Sequence, residues 1–219
     1  MQERPRRAGR PTQNIDARDA LILHARELFM AMPYDKVSTR LVAQKAGVNA
    51  AMIRYYFGSK EGLFETMLRE TLEPMKHQLQ QMFSVGSQQS FIDIMRTYYQ
   101  EMHKTPHFPK LIWQVMNMPE SQTQRKLMQK VFDDVSRPMQ SMIFEKLAAN
   151  GIIRPGMDPL LCRVSFISLM VFPFIAPASL LSIHGIELSE SFLNRLLEHN
   201  IDVLKHGFLQ AEGEHDENQ

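Results

Sequence analysis

The stretch from Val37 to Glu65, VSTRLVAQKAGVNAAMIRYYFGSKEGLFE, constrains the chain more than any other. Its spacing and capping residues predict two short helices joined by a tight turn, followed at once by the start of a third. Ser38 is placed to N-cap the first helix, and Leu41, Val42 and Ala46 recur behind it at helical spacing. Gly47 ends that helix, because glycine reaches a left-handed C-cap without a Cβ clash. Asn49 offers a side-chain cap to a second helix over Ala50–Tyr56, with Ile53 and Phe57 facing inward and Arg54, Tyr55 and Tyr56 outward. A third helix opens at Ser59, with Lys60 and Glu61 in its first turn and Leu63, Phe64, Met67 and Leu68 behind them.

Two short helices crossing at a glycine-containing turn make a helix-turn-helix, whose second helix enters a DNA major groove. A groove about 12 Å wide admits one helix, and outward polar side chains then meet base edges and phosphates. The charge distribution agrees. The chain carries +1 overall, but residues 1–60 hold eight Arg and three Lys against five acidic residues, a local +6 that leaves −5 for the remainder. A basic quarter on an otherwise acidic chain is the footprint of a protein that sets one end on a polyanion.

The run from Tyr34 through Phe64 resembles the DNA-binding domain of the TetR family of bacterial repressors. The resemblance rests on Tyr34, Val37-Ser38-Thr39, Ala43, Ala46-Gly47-Val48, Tyr55-Tyr56-Phe57, Lys60, Glu61 and Leu63. It implies an all-α chain, with an N-terminal three-helix DNA-binding domain and a larger helical ligand-binding and dimerisation domain. Under it Ser38 belongs to the DNA-contacting set, Thr39, Arg40, Tyr55, Tyr56 and Lys60 anchor phosphates, and Asn49, Ala50, Met52 and Arg54 face bases. Where the family most often carries a tyrosine, in the pattern apolar-Tyr-x-His-Phe, this chain has Arg54, and Tyr56 takes the histidine position. Arg54 either reads guanine with its two-pronged guanidinium or replaces the tyrosine at a phosphate. Ahead of this domain, residues 1–14 lack apolar periodicity and read as a basic flexible arm. Its Arg4, Arg6, Arg7 and Arg10 suit a minor groove beside the reading helix, or simply a solubilising tail.

The domain boundaries expected from these patterns are 15–64 for DNA binding, 65–210 for ligand binding and dimerisation, and 211–219 for an acidic tail. A first helix is predicted over Ile15–Ala31, with Ala20, Leu21, Leu23, Leu28 and Phe29 as its apolar stripe and Pro33 as its stop. The third helix of the motif is expected to continue to about Phe83 through Pro74, which predicts a bend or a domain boundary. A polar loop is expected at 84–90, then helices near 90–104, 108–118, 120–149, 158–182 and 189–210. None of these segments shows the two-residue alternation of strands.

Methionines and aromatic residues cluster in the middle of the chain, and thioethers beside rings make an adaptable apolar lining. This predicts a pocket for a small apolar or amphipathic effector, lined by some of Met95, Tyr98, Met102, Trp113, Met116 and Phe172, although the same spacing suits plain core. Behind Ser189, the residues Phe192, Leu193, Leu196, Leu197, Ile201, Leu204 and Phe208 form a broad apolar face, and the helix from Val164 is apolar nearly all round. The surplus predicts a homodimer through segments 158–182 and 189–210, two helices per subunit forming a four-helix bundle; burial within one chain is the alternative.

Several classes are disfavoured. The chain lacks HExxH, GxSxG and P-loop patterns, so neither an enzyme nor a cofactor is expected. Pro106 spoils the helical spacing of His103 and His107, and no third ligand completes a metal site. Val164–Ile183 is uncharged and long enough to span a membrane, but Pro173 and Pro177 interrupt it and no basic flank accompanies it. It reads as a buried helix or a subunit interface. The single cysteine, Cys162, and the absence of an apolar leader predict a cytoplasmic setting. The resulting expectation is a ligand-responsive repressor, released from a pseudo-palindromic double-stranded operator by a small molecule. The alternative is an all-helical interaction or membrane-associated protein that does not bind DNA.

Overall fold

The computed structural model describes residues 13–135 and 137–210, so the arm with Arg6, Arg7 and Arg10 and the tail at 211–219 lie outside the described residues. Among the described residues the chain is all-α. Its one β feature is an isolated antiparallel bridge between Ile153 and Leu209. Two compact units succeed one another, divided between Met67 and Leu68.

The first unit contains α1 (Gln13–Ala31), a 3-10 turn (Tyr34–Lys36), α2 (Thr39–Lys45), α3 (Ala51–Phe57) and the opening of α4 (Lys60–Val85). Along α1 the buried residues are Leu21, Ile22, Ala25, Leu28 and Phe29. Leu23, expected in the stripe, is 50% exposed, because the inward face follows the spacing 21, 25, 28 and leaves position 23 on the far side. Val37, Val42, Ala43, Ile53, Leu63, Phe64 and Met67 close the core from the other elements.

The second unit holds the rest of α4 with α5 (Gln88–Lys104), α6 (Phe108–Met116), α7 (Thr123–Val135), α8 (Arg137–Ala149), α9 (Pro159–Ile175), α10 (Ala178–Ile183) and α11 (Glu190–Gly207). α4 runs unbroken through Pro74 to Val85. The polar loop expected at 84–90 therefore shrinks to Gly86 and Ser87, because the Ser87 hydroxyl accepts from the Ser90 amide at 3.1 Å and starts α5 early. The single helix expected over 120–149 is two. Pro138, which has no amide hydrogen, sits in the opening turn of α8, where no intrahelical donor is needed. The segment 158–182 also divides, at Ala176-Pro177, into α9 and α10. No described helix is long and apolar enough to cross a membrane.

α9 is the centre of this unit, packed against α5, α6, α8 and α11. Pro173 lies inside it, and a proline at that position deprives the Leu169 carbonyl of its helical donor. Two side chains repair the deficit. The Tyr99 hydroxyl donates to that carbonyl at 3.1 Å and the Asn200 amide donates to it at 3.0 Å, while the same amide reaches the Tyr99 oxygen at 2.9 Å. Asn200 is 3% exposed, so a polar group from α11 and another from α5 are committed to one broken turn of α9.

The apolar stripe of α11 is also committed inward: Leu197, Ile201, Leu204 and Phe208 are buried within the subunit. Phe192, Leu193 and Leu196 on the same expected face are half-buried, so that face is spent in large part within the subunit. The largest group of exposed apolar residues on one described helix is on α9, where Leu160, Leu161, Val164, Ile167 and Phe172 stand 44% to 67% exposed.

Because the Asn200 amide serves a carbonyl that has lost its helical donor, Asn200→Leu is expected to lower stability by about 1–3 kcal/mol. Asn194→Leu, on the exposed side of the same helix, is expected to change it by less than ~0.5 kcal/mol. Chemical or thermal unfolding of both variants distinguishes a buried repair from an ordinary helix substitution.

Candidate nucleic-acid interface

The helix-turn-helix is built around one aromatic ring. Tyr34 stacks on Phe29 with centroids 5.4 Å apart and meets the Phe64 ring edge-on at 5.2 Å, while Phe29 and Phe64 meet at 4.8 Å. The opening turn of α4 then clasps the same residue. Lys60 Nζ lies 4.0 Å from the Tyr34 ring centroid and donates to the Tyr34 carbonyl at 2.6 Å, and the Tyr34 hydroxyl donates to the Glu61 carboxylate at 3.3 Å. Burial, reinforced by the Glu61 charge, pushes the Tyr34 phenol up and keeps it a donor. Glu61 is held below the usual carboxylate range, first by its own backbone amide and then by the Ser59 hydroxyl, with Tyr34 and Lys60 adding to the effect.

The turn follows from its residues. The Ser38 hydroxyl accepts from the Leu41 amide at 3.1 Å and starts α2. Gly47, at φ +66°, takes the left-handed conformation beyond α2, and the Val48 amide reaches back to the Ala43 carbonyl at 3.0 Å. The Asn49 carboxamide oxygen accepts from the Ala51 amide at 2.8 Å and aims α3. Past α3 the chain doubles back so tightly that a Cβ on Gly62 would stand 2.0 Å from the Phe57 carbonyl oxygen. Glycine at 62 therefore sets how closely α4 approaches the end of the reading helix.

Within α3, Ile53 is buried while Ala51, Arg54 and Tyr55 are exposed, Tyr55 by 70%. Phe57, expected to face inward, is half-buried, with the Arg18 guanidinium 5.8 Å from its ring centroid. Ser38, Arg40 and Asn49 are exposed, and Thr39, Ala50, Met52 and Tyr56 are half-buried. Lys60, expected at a phosphate, is half-buried, and its ammonium donates to the Tyr34 carbonyl and lies over the Tyr34 ring. The α2 start, the α3 start and the outer side of α3 thus each leave residues in solvent.

In the second unit a cavity of about 280 Å³ lies among α4, α5, α6, α7, α8 and α9. Leu72, Met75, Phe91, Ile94, Phe132, Phe144, Phe166 and Met170 are among its apolar walls, and Tyr98 and Arg163 are its two polar lining residues. Of the six residues expected to line a pocket, Tyr98 does so. Met95 is fully buried in the core, Met102 lines a separate cleft with His103 and Lys110, and Met116 is half-buried with its sulfur 3.0 Å from an Arg125 nitrogen. Trp113 and Phe172 point to solvent, 57% and 51% exposed. A count of thioethers and rings cannot tell the inner from the outer side of a helix that is apolar on both. Arg163 was missed, although a lone cation inside LLCRVSFISLMVF was the available signal. The nearby Cys162 is buried and its thiol is pushed up by burial, so it lacks the thiolate character that redox chemistry requires.

Fold and interface together define a two-unit helical protein whose first unit is a helix-turn-helix DNA-binding domain. Residues 21–67 match the model for bacterial regulatory proteins of the tetR family. No curated protein matches it in sequence. Solved structures match its fold. The ketosteroid transcriptional regulator KstR2 of Mycobacterium tuberculosis is 15% identical, with a TM-score of 0.64 over 94% of this chain and 100% of that one. NalD of Pseudomonas aeruginosa, the secondary repressor of the MexAB-OprM multidrug efflux pump, is 19% identical at a TM-score of 0.64, over 90% of this chain and 98% of its own. The fatty acid degradation regulator FadR of Bacillus halodurans is 12% identical at 0.64, over 85% and 96%.

Gly62→Ala tests the close junction by its sign. An alanine in an unconstrained helix interior gains about 1 kcal/mol over glycine. Here a Cβ would meet a carbonyl oxygen at 2.0 Å, so the substitution is expected to lower the unfolding temperature of the DNA-binding unit and to weaken DNA retention.

Proposed function

We propose that this protein is a ligand-responsive transcriptional repressor that acts in the cytoplasm as a homodimer on a pseudo-palindromic DNA operator. The observation that carries this reading is the polarity of α3, with Ile53 sealed into the core and Arg54 and Tyr55 presented to solvent beside Arg40 and Asn49. In this reading Thr39, Arg40, Tyr55 and Tyr56 anchor phosphates with Ser38 beside them, and Asn49, Ala50, Met52 and Arg54 face bases. Lys60 acts through Tyr34. Arg6, Arg7 and Arg10 add contacts whose strength falls with salt.

Dimerisation is supported by the α9 stripe of Leu160, Leu161, Val164, Ile167 and Phe172, a contiguous apolar surface that a second copy would cover. The same helix lines the cavity with Phe166, Ile167, Met170 and Val171, so a ligand inside touches the back of the surface that a partner touches from outside. A ligand that favours a dimer with altered spacing between its two reading helices would release the operator. A coupling of about 1–3 kcal/mol corresponds to a loss of roughly 5- to 150-fold in affinity. The names of the structural neighbours, a repressor of an efflux pump and regulators of ketosteroid and fatty acid functions, support a transcriptional role and an apolar effector.

Two measurements test the reading. Operator selection from genomic fragments should yield a two-fold related site, and Arg54→Ala should then relax discrimination at one base pair of each half-site. A uniform weakening across sequences would instead place Arg54 at a phosphate. Light scattering should give about twice the 25.4 kDa chain mass, and Val164→Glu should shift the particle to the single-chain mass. Absence of sequence-selective retention would overturn the DNA-binding role itself.

A further inference from the structure

Among the described residues, the walls of the cavity in the second unit are apolar except at two positions. Tyr98 is the first; burial pushes its phenol up, so it remains neutral. Arg163 is the second, and it is the single charge on the wall. The two stand at opposite ends. Arg163 sits 5.6 Å from the Phe144 ring centroid, and Phe144 packs with Phe91 and Phe166 at 5.4 Å and 6.0 Å, which marks one end. Tyr98 packs on Phe174 at 5.6 Å, two turns further along both α5 and α9, which marks the other. Phe91 and Tyr98 share α5, and a helix rise of 1.5 Å per residue separates them by about 10 Å. The volume of about 280 Å³ is nearly twice the ~150 Å³ of a buried apolar cavity that holds a benzene ring.

The charge at the Arg163 end is unevenly shielded. One of its partners is Glu145, reached from one guanidinium nitrogen at 3.2 Å and 3.3 Å, longer than the ~2.7–2.9 Å of a strong charge-assisted bond. The Glu145 side chain is 56% exposed and that of Arg163 24%. Arg163 is the more buried member of the pair, and it lines the apolar chamber.

Accepting the ligand-responsive reading above, we propose that the effector is an elongated apolar acid. Its anionic group pairs with Arg163 and its hydrocarbon body fills the chamber toward Tyr98. An uncharged molecule of the same shape gains the apolar walls but not the ion pair, so the cavity discriminates by charge as well as by size.

The test uses the full chain and a matched pair of probes, decanoic acid and its methyl ester, titrated by calorimetry at neutral pH. The acid is expected to bind at least tenfold more tightly than the ester. Arg163→Gln should remove that preference while leaving ester affinity within about twofold, which also shows that the cavity is intact. Arg163→Lys, which keeps the charge, should retain most of the preference. Equal affinity of acid and ester for the unaltered protein, a preference that survives Arg163→Gln, or failure of both probes to bind up to millimolar concentration would each overturn the proposal. Retention of operator DNA, and its release by the ester as readily as by the acid, would leave the repressor reading standing while this one falls.

Discussion

The DNA-binding unit depends on the clasp around Tyr34. Three rings pack at centroid separations of 4.8–5.4 Å, and the first turn of α4 grips the middle one by its carbonyl, its face and its hydroxyl. An unpaired ammonium at a half-buried position costs free energy, and here the Lys60 ammonium is matched to the Tyr34 carbonyl, while the exposed Glu61 carboxylate accepts from the Tyr34 hydroxyl. The clasp fixes where α4 begins. Gly62 then lets the first turn of α4 lie against the Phe57 carbonyl, so the end of α3 is set by the helix that follows it. The orientation of Arg54 and Tyr55 follows from what lies behind them.

Prolines organise the second unit in a comparable way. Pro177 divides one long apolar segment into α9 and α10, and Pro173 leaves a carbonyl inside α9 without its helical donor. Tyr99 and Asn200 answer that deficit from two different helices. A buried carbonyl demands a partner, and supplying it from α5 and α11 ties three helices at one point. Tyr98, one residue along α5, lines the cavity, so the chamber wall and the polar repair share a backbone segment.

The two faces of α9 do different work. Its inner side supplies Cys162, Phe166 and Phe174 to the core and Arg163 to the chamber, while its outer side leaves Leu160, Leu161 and Val164 in solvent. α11 carries as strong an apolar stripe in sequence, yet it buries that stripe at home and turns polar groups outward, with Glu198 pairing with Arg96. In sequence α9 is apolar nearly all round and α11 only along one face, so α9 keeps apolar surface after its inner side is buried.

Local chemistry was legible wherever a few adjacent residues settle it. The Ser38 and Asn49 caps, the reversal at Gly47, the outward Arg54 and Tyr55, the buried Ile53 and the all-helical character are each read from within one or two turns. The Tyr34 clasp joins residues 26 and 27 apart, and it emerges only when α4 is seen against the 3-10 turn. The cavity was the least legible part. Trp113 and Phe172 satisfy every compositional criterion for a lining and stand in solvent, whereas Phe91, Phe166 and Arg163 form the wall. By itself the sequence determined the elements, their caps and the identity of the reading helix, because those depend on backbone conformation and on periodicity within a single helix. The tertiary structure alone decided which of two apolar faces is spent, which carbonyl needs a distant donor and where the lone cation points, because burial is a property of the partner a surface meets and not of the surface.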